Sequence, residues 1–309
     1  MSKEKKTTIG GQALMEGILM RGPEKSAIVV RKPDKTLEIK EEPVGSNTHH
    51  PFLRLPFIRG PVIFWDSMKQ GVSALMYSSE FFEVEGEEKE PGKFEKWIER
   101  KLGMERFEKI MMTFTVILGI AMPICLFILL PTLIAGFFGP MHFMLRNLLE
   151  GAIRILIFIG FVWSTSLMKE IKRTYMYHGA EHKSIACYEA GEELTVENAK
   201  KCCRFHPRCG TSFLFVVMII SIVVFSVVQW SNPLIRMLLR LALLPVVAAI
   251  SYEINRFAGR YDNWFTGILR APGVALQRIT TKEPDDSMLE VAIEAIKRVI
   301  PEDKETDRW

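Results

Sequence analysis

Residues 110–145 read IMMTFTVILGIAMPICLFILLPTLIAGFFGPMHFML, and no Asp, Glu, Lys or Arg interrupts them. A helix needs roughly 20 apolar residues to cross the ~30 Å hydrocarbon core of a bilayer. This run is long enough, and it decides the reading of the chain. A length of 309 residues would otherwise suit two soluble domains. A second uncharged run, Thr211 to Ile235, is also long enough. Two shorter runs, Ile155–Met168 and Leu241–Tyr252, reach spanning length only by taking in charged residues ahead of them. These are Arg146, Glu150 and Arg154 for the first, and Arg236 and Arg240 for the second. Within each set the spacing is four, so the charges share one helix face. A charge in hydrocarbon is costly unless it pairs or snorkels. Glu150 is therefore expected to pair with Arg236 or Arg240 near the outer ends of these helices. The predicted fold is a mainly α polytopic membrane protein with four transmembrane helices.

The distribution of basic residues sets a topology. The turns near Gly136–Phe143 and Trp230–Pro233 carry no Lys or Arg. The segment between the second and third spans carries Lys169, Lys172, Arg173, Lys183, Lys200, Lys201, Arg204 and Arg208. More basic residues precede the first span and follow the last. The positive-inside rule places both termini and the central segment in the cytoplasm. The net charge of +4 hides this asymmetry. These cations read as topology signals and anionic-lipid contacts, so the bilayer is the expected partner and nucleic acid is not. No apolar leader is visible in MSKEKKTTIGG. Cys125 falls in the first span as an apolar residue. Cys187, Cys202, Cys203 and Cys209 face a compartment where disulfides are disfavoured, so they are expected as free thiols or metal ligands.

Six regions follow along the chain. Residues 1–60 form a cytoplasmic N-terminal region. It contains the glycine-punctuated stretch TTIGGQALMEGILMRG and a small β-hairpin, Ala27–Arg31 and Thr36–Lys40 around a turn at Lys32–Lys35. Residues 61–109 hold a helix from Pro61 to about Phe82, suited to the membrane interface or to packing on the bundle, then a charged linker. Residues 110–168 are spans one and two, 169–210 a cytoplasmic segment, and 211–256 spans three and four. Residues 257–309 are a cytoplasmic tail. In the tail Pro272 and Gly273 mark a loop, and Ser287 with Glu290 suggests a capping box. Leu289, Ala292, Ile293, Ile296, Val299 and Ile300 then form an apolar stripe, and the last residues fray.

The chemistry is concentrated in residues 169–210. The second span is expected to continue as a helix through His178-Gly-Ala-Glu181-His182. Residues four apart lie one turn from each other, the separation at which two imidazoles reach one ion. The order H-x-x-E-H inverts the H-E-x-x-H zinc-protease signature and places Glu181 as a base for a metal-bound water. Gly179 weakens a helix interior, which asks for a packing reason. A short helix, Val196–Arg204, leads into His206-Pro-Arg-Cys209-Gly at the mouth of span three. A catalytic zinc takes three protein ligands. Glu253, at the cytoplasmic end of span four, leads for the third place, with His206 and Cys209 as rivals. Asn198 and Asp262 are candidates to orient ligands. Gln12, Glu16 and Arg21 need polar partners, at this site or in ordinary packing.

Three segments carry a family resemblance: GGQALMEGILMRGP, YHGAEHKSIACYEAGEELTVENAKKCCRFHPRCGTSFL and LQRITTKEPDDSMLEVAIEAI. On these the chain resembles the YqhQ-like family of bacterial membrane proteins, a group without an established activity. The resemblance implies a polytopic protein of the bacterial inner membrane and a metal-dependent enzyme. Together with the motif, it sets the expectation of a zinc (or other divalent transition-metal) hydrolase at the cytoplasmic membrane face. The alternative is a non-catalytic factor that binds or assembles other membrane proteins. A transporter is disfavoured, because four spans are few and no inverted repeat is apparent.

Overall fold

A computed structural model describes residues 6–44, 51–82, 104–139, 141–227, 233–261, 263–303 and 306–307. The charged linker, most of the Trp230–Pro233 turn and Asp262 lie outside the described residues. The chain is mainly helical, with one small sheet at its N-terminal end.

That sheet has four strands rather than one hairpin. β1 (Gly10–Leu14), β2 (Gly17–Arg21), β3 (Lys25–Arg31) and β4 (Leu37–Pro43) form an antiparallel meander in sequence order. β2 escaped the sequence reading because both its faces are covered, which removes the polar alternation of a half-buried strand, and β1 because it opens on two exposed glycines. Ile18 and Met20 face one core with Ala27 and Val29. Leu19 faces another with Leu14, Ile28 and Val30. The predicted Lys32–Lys35 turn is present, closed by Lys32 N donating to Thr36 O at 2.9 Å.

Helix α1 (Arg59–Glu80) covers the second of these faces and packs on the helix Leu244–Arg260. α2 (Met104–Ile124) runs through a π-helical turn, Cys125–Leu129, into α3 (Leu130–Gly136). α4 is Phe143–Thr165. Two helical stretches are long and apolar enough to cross a bilayer, Thr113–Gly136 and Phe143–Thr165. The other two expected spans differ. α7 (Gly210–Ser226) is apolar but shorter. The fourth is broken into α8 (Pro233–Ala242) and α9 (Leu244–Arg260), with a proline in the first turn of α9.

The charges in this region pair as expected. Glu150 accepts from Arg240 at 2.7 Å, both side chains being 2% exposed, and Arg146 lies at 3.5 Å. Arg154 lies about halfway along α4, not at its outer end. Pro131 has no N–H to return to Phe127 O, and Arg154 Nε donates to that carbonyl at 2.8 Å. Its Nη1 donates to Ser221 Oγ at 2.9 Å. Both guanidinium groups also approach the Phe225 ring.

The second span does not continue unbroken into the central segment. The hydroxyls of Ser164, Thr165 and Ser166 each bond back to a carbonyl three residues earlier. Such bonds compete with the helix ladder, and Met168 is extended. A separate helix, α5 (Lys169–Glu189), carries His178 and His182. α6 (Val196–Lys201) starts at Thr195, whose side chain caps Asn198 N.

Pro272 and Gly273 sit inside helix α10 (Trp264–Thr280), not in a loop. α11 (Asp286–Val299) is capped by Asp285, which accepts from Met288 N at 3.0 Å. That displaces the expected Ser287 box. The apolar stripe packs α11 onto β2, β3 and α5. The end of the chain is not frayed throughout. Asp307 is buried and accepts from Thr8 N at 2.9 Å and Tyr188 Oη at 2.9 Å.

Candidate metal centre

The centre is built where α5, the turn before α7 and the last carbonyl of α10 meet. Thr280 is the last residue of α10 and Arg204 lies in the loop after α6, so neither carbonyl is spent on a helix ladder. His178 Nδ1 lies 2.9 Å from Thr280 O, and His182 Nδ1 lies 2.6 Å from Arg204 O. A carbonyl can only accept, so in each neutral ring the proton sits on Nδ1 and Nε2 presents a lone pair. This is the arrangement by which an outer partner fixes a ligating histidine.

One of these lone pairs meets a sulfur. His178 Nε2 is 3.2 Å from Cys209 Sγ. The two imidazole centroids are 4.4 Å apart. Among the described residues, His178, His182 and Cys209 form the group that could hold a metal, with ligand atoms all within 4.8 Å of one another. Tetrahedral zinc needs its N and S donors about 3.3–3.8 Å apart, from bond lengths near 2.1 and 2.3 Å. The His178–Cys209 distance is close to that spacing, and no pair in the group exceeds 4.8 Å. His182 is 1% exposed, and its Nε2 is a buried atom with no hydrogen-bond partner. An orphaned ring nitrogen costs about 1–3 kcal/mol unless something fills the position. The donor set therefore fits a borderline-soft divalent ion. Burial lowers the His182 pKa, and Cys209 pulls the other way. Cys209 caps α7, and Thr211 donates to its sulfur through Oγ1 at 3.3 Å. The helix N-terminus suits a negatively charged ligand atom.

Gly179 has the packing reason its position called for. A Cβ there would lie 2.0 Å from Lys282 O, in the irregular segment that follows α10. Lys282 N in turn donates to Tyr175 O at 2.8 Å. Gly179→Ala is expected to push this segment off α5 and move Thr280 O from His178. The expected cost is about 1–3 kcal/mol, read by thermal unfolding in detergent. Unchanged stability would show that the segment yields freely.

Glu181 is buried beside this group, and a Cβ on Gly11 of β1 would lie 3.1 Å from its carboxyl carbon. Desolvation raises its pKa, and His178 and Gly11 oppose that. The Gly10–Gly11 stretch also lines a surface cavity of about 550 Å³.

The other predicted residues lie elsewhere. Glu253 does not join the histidines. Its carboxylate accepts from Arg59 Nε at 2.8 Å and from Phe57 N at 3.2 Å. His206 comes near, with its ring 5.6 Å from that of His182, but its Nε2 lies 3.3 Å from Glu189. Asn198 bonds Glu193 O, away from the centre. Glu16 bonds Arg173 and Tyr177 on α5, whereas Arg21 bonds Gln70 on α1. Cys187 is buried, and burial with Cys202 beside it pushes its thiol up to about 11.

Three supporting residues were not foreseen. Gln277, fully buried, accepts from His206 N and donates to His206 O, each at 2.8 Å, and so clamps the turn that bears Cys209. Glu189 accepts from Arg208, His206 and Thr7 N. Burial alone would raise its pKa, but these partners together lower it. Thr280 contributes only a main-chain oxygen, which leaves no trace in residue type.

The family described as "Protein of unknown function (DUF1385)" matches residues 55–302. The chain is similar to "Uncharacterized protein YqhQ" of Bacillus subtilis (strain 168), with 31% identity over 308 residues, covering 97% of this chain and 95% of the relative. No solved structure matches.

Proposed function

This chain belongs to the DUF1385 family, and from that premise we propose that it is a membrane-embedded, metal-dependent hydrolase with its site at the cytoplasmic face of the bacterial inner membrane. The observation that supports this most directly is the convergence of two Nε2 lone pairs and one thiol, with each imidazole fixed by a main-chain carbonyl. Structural zinc sites close with four protein ligands, whereas catalytic sites keep three and leave one position open. This group offers three. Zinc, or another divalent transition metal, would supply Lewis-acid polarisation of a carbonyl and a lowered pKa for water.

The chain's own residues supply the rest. Thr280 O and Arg204 O orient the rings. Glu181 takes a proton from the attacking water and returns it to the leaving group. The substrate is an amide or ester in a lipid-linked molecule or a membrane-protein segment. In this reading α2–α3, α4, α7 and α8–α9 make four passes, with both termini cytoplasmic. The basic residues of α5 and α6 support that orientation.

Glu181→Gln separates metal binding from catalysis. The variant is expected to keep the metal and to lose about 100-fold or more of its turnover of an ester or amide probe. Full turnover would remove Glu181 from the mechanism. The near-complete burial of His182 and Glu181 favours a second reading, in which the metal holds together a non-catalytic factor that binds other membrane proteins. A Glu181→Gln protein that still copurifies with a fixed partner and supports its assembly would select that reading.

A further inference from the structure

We propose that α1 lies in the boundary between headgroups and acyl chains, with Phe64, Trp65, Met68, Val72, Leu75 and Met76 turned into the lipid. The inference goes beyond the hydrolase reading and does not depend on the metal. At about 100° per residue these six side chains occupy roughly 120° of the helix circumference. They are 39–67% exposed, with Trp65 the most open. The remaining two sides of α1 are accounted for. Gly60, Gly71, Ala74 and Ser78 are buried against the sheet and bundle. Asp66, Lys69, Gln70 and Ser73 line a groove of about 340 Å³ with Arg21, Lys40 and Glu42 of the sheet. Among the described residues, the apolar stripe beyond Phe64 is the side of α1 left exposed by both protein and groove.

Its position favours a bilayer over a protein partner. A Cβ on Gly60 would meet Tyr252 Cβ at 2.8 Å, so α1 crosses α9 in close contact. The Phe64 ring lies 6.0 Å from Phe213 in the first turn of α7, next to exposed Leu214. The stripe thus joins the apolar surface of the membrane helices at the end capped by Cys209. Phe52, Leu55 and Phe57, just ahead of α1, extend it with exposures of 63%, 47% and 56%. A tryptophan in the stripe and a lysine on its polar border, where the amine can snorkel, are the residue types that settle at a membrane surface. A helix with one apolar and one polar flank lies in the interface plane. The groove then opens at headgroup depth.

The test uses the full-length protein in phosphatidylcholine–phosphatidylglycerol vesicles. The difference in emission between wild type and Trp65→Phe isolates the Trp65 signal, and the substitution is on an exposed side chain. Lipids brominated near the carbonyl end of the acyl chain are expected to quench most of that component, and aqueous iodide little of it. Quenching by iodide but not by lipid would put the stripe in water and overturn the proposal. Quenching by neither would show that protein covers it, a second copy or another chain, and would overturn it equally.

Discussion

One divalent transition-metal ion per chain is expected in wild-type protein purified in detergent, and none in His178→Ala, His182→Ala or Cys209→Ala. Glu253→Gln and His206→Ala are expected to keep it. The contrast follows from where each donor is spent. His178 and His182 have their Nδ1 protons committed to carbonyls and their Nε2 lone pairs directed inward. Glu253 is committed to Arg59, and His206 Nε2 to Glu189. Loss of an outer partner typically weakens a metal site 10–100-fold, so removal of a ligand is expected to weaken it by more than about 100-fold. Elemental analysis of all five variants reads the result directly. Unfolding temperature gives a second readout, because metal at about 100 times its Kd adds ~2.7 kcal/mol to the native state. That gain should vanish in the first three variants and persist in the other two. Metal-free wild type, or metal retained by His182→Ala, would end the metal proposal.

Glu150→Leu is expected to destabilise the packing of α4 and α8 by about 3–5 kcal/mol, the usual cost of removing one member of a buried ion pair. Glu150 is 1% exposed, and Arg240 and Arg154 are 2% and 6% exposed. Without the carboxylate, two buried guanidinium groups face each other's charge across Phe225 with only neutral acceptors left. Arg240→Met should cost less, because Arg146 remains 3.5 Å from Glu150. The double replacement should cost less than the sum of the two, since it removes both charges together. Thermal unfolding in detergent measures all three. A Glu150→Leu protein within about 0.5 kcal/mol of wild type would show that the arginines are neutralised some other way.

How legible each part was depended on the range of the contacts that define it. The Glu150–Arg240 pair was visible as two alternatives because hydrocarbon leaves a charge few choices. The stripe of α11 was visible because the buried Leu289, Ala292, Ile293, Ile296 and Val299 repeat at helical spacing. The strand Gly17–Arg21 was not, since burial on both faces erases the alternation on which the reading relied, and Gly10–Leu14 was not, since it opens on two exposed glycines and buries only Leu14 fully. Pro272 read as a loop residue, yet it sits inside α10, because tertiary packing outweighs a local helix penalty of a few kcal/mol.

The sequence by itself determined that His178 and His182 would share a helix face with Glu181 beside them, because 3.6 residues per turn leaves no other arrangement. It also determined that the chain carries helices fit for a bilayer, because apolar length is a one-dimensional property. Tertiary structure alone decided which third donor meets the imidazoles. Cys209 lies 31 residues from His178 and the Thr280 carbonyl 102 residues away. They are brought there by the Gln277 clamp and by the absence of a side chain at Gly179. Contacts so distant along the chain leave no periodic signal. Which donor is free and which is spent on an arginine is settled only when the helices pack.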